Sequence, residues 1–315
     1  MISSKELKNK MKDYFTLTPR LRSVFYLGAG YVSGIHYSPK ERKIRHHFIS
    51  PLEKGSIQPS FNKKNIEKRS LLEEKLKEGI EKLHLADQKT ACLLPELSLK
   101  AFVFSFDSLP SSPQQREKII RFRVKKQMAF LPADARLSFK VIGSDHSKKV
   151  VVSVARTLVV QEYEDFFHQL GLKVRMVGSP VLSLYNMTSR NGEDEFLLIN
   201  IEEESISFVA VIDSEMVLYR QKPFVVEWKD PPPLEKKMES IFQEIENTAN
   251  FIEDNEKRRI QSLFVRFGFL DTGGEIIPAL KDKLSLPVSE IDIPMDSDLN
   301  LRQRQLLLPL MGIIL

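Results

Sequence analysis

Two stretches of this chain repeat the same succession of short apolar runs and polar turns. In the first, Val24–Leu27 is followed by Gly28-Ala29-Gly30, then Tyr31–Tyr37, the turn Ser38-Pro39-Lys40 and a third run, Ile44–Ile49. In the second, Phe196–Ile201 leads through Glu202-Glu203-Glu204 into Ser205–Ile212, the turn Asp213-Ser214-Glu215 and Met216–Tyr219. Laid over one another, Tyr26-Leu27-Gly28 falls on Asn200-Ile201-Glu202, and Ile35 on Val209. Runs of this length, bounded by turn formers, predict strands. Each stretch reads as strand, tight turn, strand, loop, strand, and the chain as a duplication.

Between and after the repeats the period changes. Lys64–Leu85 puts Leu72, Leu76, Ile80 and Leu83 on one side, which predicts an amphipathic helix. Short apolar runs at Thr90–Leu94 and Lys100–Phe106 predict strands, and a Ser/Pro loop, Asp107–Pro113, separates them from a basic helix at Gln114–Phe130. Strands Arg136–Ile142 and Lys149–Ala155, a helix Val159–Leu170 closed by Gly171, a strand Lys173–Val177 and a helix from Pro180 follow. Residues from about 100 to 177 thus read as a compact α+β unit inserted into the first half. Beyond the second hairpin, Pro231-Pro232-Pro233 leads a long helix, Leu234–Asn255. Then come a strand at Ser262–Leu270, the turn Asp271-Thr272-Gly273-Gly274, a helix Ile276–Leu284, a strand Val288–Ile291 and a final helix from Leu299. The class is α/β, with one domain over 1–190 carrying the insertion and a second over 191–315, joined at Thr188–Asp194.

Composition sharpens this in three ways. The 315 residues are long enough for two cores, and 42% hydrophobic with 28% charged residues is the balance of a globular protein. The net charge of +5 conceals a polarity: residues 1–190 hold 34 Lys and Arg against 18 Asp and Glu, while residues 191–315 hold 13 against 24. A basic first part suits an anionic partner, or simply a well-solvated face. The single cysteine, Cys92, lies in an apolar run and has no partner for a disulfide. Met1–Thr18 is polar and helix-patterned, unlike a secretory leader, and the longest apolar run, Leu306–Leu315, is too short to span a bilayer. A cytoplasmic chain is expected, with any membrane contact peripheral or through a partner.

Duplicated halves that each open with such a hairpin build the actin-like, ribonuclease H-like fold, whose hairpin tips hold phosphate. That chemistry needs small residues at both tips, so that backbone N–H groups reach phosphate oxygens, and an Asp near each tip for Mg²⁺ and water. Gly28 and Gly30 meet the first need; at the second tip Glu202, Glu203 and Glu204 stand instead and would repel a triphosphate. An adenosine contact is expected at Thr272, Gly273 and Gly274, and Asn200 and Ser205 are the substitutes available for phosphate and metal. ATP with Mg²⁺ is therefore the candidate cofactor, at a degenerate site with no catalytic residue assigned. Other clusters are weaker. His46-His47 in a strand points its rings to opposite faces, Arg116–Lys126 reads as a solvated basic helix, and Glu202–Glu204 as an exposed acidic turn.

In order and spacing the chain resembles the PilM family, actin-like proteins of type IV pilus assembly related to FtsA. The resemblance rests on Leu27-Gly28 to Gly34-Ile35, Phe48-Ile49-Ser50-Pro51-Leu52 to Gly55-Ser56-Ile57, and Gln114–Pro132. It continues through Val151–Arg156 with Leu170-Gly171-Leu172, Phe196–Ile201, Val217–Arg220, Glu244–Phe251, and Thr272–Leu280 with Pro287-Val288. It implies ATP in an interdomain cleft, and a groove near the insertion holding the N-terminal cytoplasmic tail of PilN, a bitopic inner-membrane protein. The family's Asp and Lys at the first tip are here Tyr26 and Ser33, and its Asp and Gly at the second are Asn200 and Glu202. The reading is an adaptor for a PilN-like tail and other pilus assembly proteins, without ATP hydrolysis. Its alternatives are an ATP-binding PilM-like protein, the cytoplasmic domain of a type II secretion (GspL-like) component, and a basic-surface nucleic-acid or anionic-lipid binder. The GspL-like reading expects a transmembrane helix to follow, where this chain stops at Leu315.

Overall fold

The computed structural model describes residues 21–85, 87–142, 148–188, 193–224, 234–268, 273–284, 286–291 and 299–314. Met1–Thr18, Pro231-Pro232-Pro233, Asp271-Thr272 and most of the Thr188–Asp194 connection lie outside them. The first half opens with β1 (Ser23–Leu27), β2 (Tyr31–Ser38) and β3 (Lys43–Pro51), followed by helix α1 (Arg69–Leu83) and β4 (Lys89–Leu93). Next come β5 (Lys100–Phe106), α2 (Pro113–Gln127), β6 (Ala135–Ile142), β7 (Lys148–Arg156), α3 (Thr157–Gln169), β8 (Lys173–Gly178) and α4 (Pro180–Thr188). The second half comprises β9 (Phe196–Ile201), β10 (Ser205–Ile212), β11 (Glu215–Pro223), α5 (Leu234–Glu256) and β12 (Leu263–Phe267). It ends with α6 (Gly273–Lys283), β13 (Val288–Glu290) and α7 (Leu301–Ile314).

The duplication is a duplication of topology. One five-stranded sheet runs β3-β2-β1-β4-β8 and the other β11-β10-β9-β12-β13, each with an antiparallel hairpin followed by parallel strands. The hairpin registers agree as the apolar pattern requires: Val24 pairs with Ile35, and Leu198 with Val209. The hairpin strands β1, β2, β9 and β10 are buried on both faces, and β1 and β9 are accordingly near-continuous apolar runs. Phe25, Leu27 and Cys92 face α1 and α3; Leu197, Ile199 and Ile201 face α5 and α6. The alternate residues Val24, Leu93, Phe196 and Leu198 share a central core with Val181 and Leu184 of α4 and Leu306–Leu308 of α7. Two helices are thus sandwiched between two sheets. Asn300 starts α7 reciprocally with Gln303, each side chain accepting the other's backbone N–H. Gly312 lets α7 approach α4, since a Cβ there would strike the Ser183 carbonyl.

Three expectations change. The small third sheet contains only β5, β7 and β6, covered by α2. β8 pairs with β4 and α3 packs on the first sheet, so the expected last helix and strand of the insertion belong to the main layer. Helix α1 begins at Arg69, not Lys64, because residues before it fold back in an Ile57–Ile66 bridge. Gly273 and Gly274 open α6 instead of forming a turn ahead of it.

Candidate functional site

The two hairpin tips face each other. At the first, Gly28 donates its N–H to the Tyr31 carbonyl at 3.0 Å; at the second, Glu202 donates to the Ser205 carbonyl at 2.8 Å. A Cβ added to Gly30 would run into the Glu203 carboxylate, so the second tip already occupies the space that this glycine leaves open. The Tyr26 ring covers Gly28, within 2.6 Å of where a Cβ would stand, and meets Tyr31 edge-on with centroids 5.2 Å apart. Burial, then the neighbouring Glu202 and Glu204 carboxylates, pushes the Tyr26 hydroxyl well above its ordinary pKa.

The centre of this region is a residue that the sequence reading passed over. Arg266, in β12, is wholly buried. Its Nη1 donates to Asn200 Oδ1 at 2.9 Å and to the Glu202 carboxylate; its Nη2 donates to the Tyr31 hydroxyl at 2.6 Å; its Nε donates to the Gln305 carbonyl at 2.8 Å. The Tyr31 hydroxyl in turn donates to the Leu306 carbonyl at 3.2 Å. One guanidinium therefore ties β2 of the first half, β9 and the tip of the second, and the start of α7. Burial raises the Glu202 pKa and Arg266 pulls it back, while Glu202 holds the guanidinium charge above its usual range despite burial. The signal was present: Leu-Phe-Val-Arg-Phe puts a charge inside a continuous apolar strand, and such a charge needs a buried partner. The exposed reading of Glu202–Glu204 is corrected here, since Glu202 and Glu204 are both buried.

A second buried contact spans the halves. Glu96, just after β4, accepts from Ser179 Oγ at 2.9 Å, from the Val181 N–H at 2.6 Å at the start of α4, and from the Tyr219 hydroxyl of β11 at 2.9 Å. Gln221 adds a bond from Nε2 to the Leu99 carbonyl at 3.1 Å. Burial outweighs these donors and pushes the Glu96 carboxyl up to about 7. Nothing in Pro95-Glu96-Leu97 announces this role in the sequence.

Of the expected site residues, Gly28, Gly30, Asn200 and Ser205 come together at the tips. Gly273 and Gly274 begin α6, and Thr272 lies outside the described residues. The residues at the tips do not fit Mg·ATP. Asn200 is spent on Arg266, Glu203 stands against Gly30, and four acceptors of this chain occupy the five-donor guanidinium. A phosphate charge brought to about 4 Å from a carboxylate here costs about 4 kcal/mol per unit-charge pair at an effective dielectric near 20.

A groove of about 400 Å³ lies between the third sheet and the first. Consecutive residues of three strands line it, Arg136–Ser138 of β6, Ser153–Ala155 of β7 and Val174–Gly178 of β8, with Leu182 and Asn186 of α4 and Ile313 of α7 also in the lining. Of these strands β6 and β8 end their sheets, so each turns an edge without a strand partner among the described residues.

No family model matches this chain, and no curated protein does. Solved structures do. The chain is similar to a PilM-PilN type IV pilus biogenesis complex, with a TM-score of 0.75 at 16% identity over 94% of this chain and 99% of that one. It is also similar to a protein of unknown function with an actin-like ATPase fold from Bacteroides thetaiotaomicron, with a TM-score of 0.53 at 8% identity over 92% and 96%. The fold is actin-like.

Proposed function

We propose that this chain is an actin-like adaptor of type IV pilus assembly. In this reading it works in the cytoplasm at the inner face of the membrane, holds the N-terminal tail of a PilN-like inner-membrane protein, and does not hydrolyse ATP. The groove between β6 and β8 carries the reading. A slot lined in part by two strands that each end a sheet suits an extended peptide, which can add backbone hydrogen bonds to an edge and place alternate side chains in the slot. The likeness to a PilM-PilN complex supports the choice of occupant. The clasped tips support an adaptor over an enzyme, because the space for phosphate is taken by the chain's own side chains.

The test is fluorescence anisotropy with the labelled N-terminal tail of the PilN-like protein from the same source. Saturable binding is expected, weakened at least about tenfold by Met176→Asp on the β8 edge and by Ser138→Trp, which fills the slot. A tail that does not bind, or that binds both variants as it binds the parent, contradicts the reading.

A further inference from the structure

Helix α2 presents a face that the rest of the fold leaves unused. Its inner side, Ile120 and Val124, is wholly buried against β5, β6 and β7. Its outer side carries Ile119 and Phe122 at i, i+3 spacing, and Phe130 follows just beyond its end. Phe122 is 57% exposed and Phe130 76%, the two most exposed large hydrophobic residues among those described. Around them stand Lys118, Lys125 and Lys126, the last with Nζ 4.7 Å from the Phe122 ring centroid. The helix has one acid, Glu117, and it faces Arg121 at 3.7 Å. Among the described residues none of the three lysines meets a carboxylate.

Aromatic side chains exposed singly are ordinary, but here they sit within a ring of lysines on a convex helix. That combination matches the headgroup boundary of a bilayer, where rings enter the acyl layer and lysine stems carry their charges to the phosphates. A nucleic acid strand is the poorer match. Ile119 offers no π-face for stacking, and a convex helix offers no channel for a backbone. The charge of the chain agrees, since the excess of Lys and Arg lies in residues 1–190 and the excess of Asp and Glu in the remainder.

We propose that the outer face of α2, with Phe122, Phe130, Lys118, Lys125 and Lys126, docks this chain directly on an anionic lipid bilayer. This contact does not depend on the groove or its peptide. Each lysine near an anionic surface contributes roughly fivefold in partitioning, so losing three weakens binding about a hundredfold.

The experiment is co-sedimentation of the full chain with vesicles of phosphatidylglycerol and phosphatidylcholine in equal parts, and with phosphatidylcholine alone. The expected result is binding to the first and not the second, falling as salt rises. Lys118→Gln, Lys125→Gln and Lys126→Gln together should weaken it about a hundredfold, and Phe122→Ser with Phe130→Ser at least about tenfold at unchanged salt dependence. All five positions are at the surface, so unaltered thermal unfolding certifies the variants. No binding to anionic vesicles overturns the proposal. So does binding indifferent to the phenylalanines, or capture by a single-stranded oligonucleotide with no capture by vesicles.

Discussion

The two hairpins occupy matching places in matching sheets, yet their tips solve opposite problems. In the first half Tyr26 pairs across to Leu93 on β4; at the equivalent position of the second, Asn200 pairs to Arg266 on β12. One half fills its place with a ring and an aliphatic chain, the other with an amide and a buried cation. The behaviour of each tip follows. Gly28 and Gly30 stay small and are covered by Tyr26 and Glu203, whereas Glu202 turns inward to answer Arg266. A symmetric scaffold has become an asymmetric joint in which the second half supplies the charges and the first a phenol and two glycines.

Removing the cation breaks this asymmetry most severely. Arg266→Leu leaves Glu202 buried without its partner and should cost about 3–5 kcal/mol in urea unfolding, while Glu202→Leu added to it should recover more than half. Recovery is the sharper observation, because a loss of packing alone would not reverse.

The Glu96 contact compares the same joint at a second point, and it responds to pH. Its folded pKa of about 7 lies above the ordinary 4.5, so its contribution is complete below pH 4.5 and fades as pH rises through 7. The loss is on the order of 3 kcal/mol, and Glu96→Gln should flatten unfolding free energy across that window. A parent profile identical to that of the variant would remove the buried carboxyl from the account.

The smallest effect is expected at the first tip. Gly30→Ala meets only the end of the Glu203 side chain, which can swing away, so thermal unfolding should change by less than about 1 kcal/mol. A larger loss would show that the tips press on one another through backbone.

Much of this scaffold was legible because it rests on periodicity. The hairpin registers follow from runs such as Phe196–Ile201, where every second residue must face a helix layer and the others the central core. The assignment of β8 was not legible, because Lys173–Gly178 alone does not say which strand it will pair with, and its partner β4 lies far back in the chain. The tips were half legible. The glycines and the acidic turn stood out, but the Glu202–Arg266 pair joins residues remote in sequence, and only an arginine within Leu263–Phe267 hinted at it. Glu96 gave no sign, since its burial depends on three segments that fold around it.

The central claim is that side chains of this chain hold the tips where an actin-like fold would hold a nucleotide. Thermal unfolding of the full chain with and without excess Mg·ATP tests it most directly. The account predicts the same midpoint in both. A rise corresponding to about 2.7 kcal/mol, the linkage expected at a hundredfold excess over the dissociation constant, would show a nucleotide displacing the clasp and would contradict it.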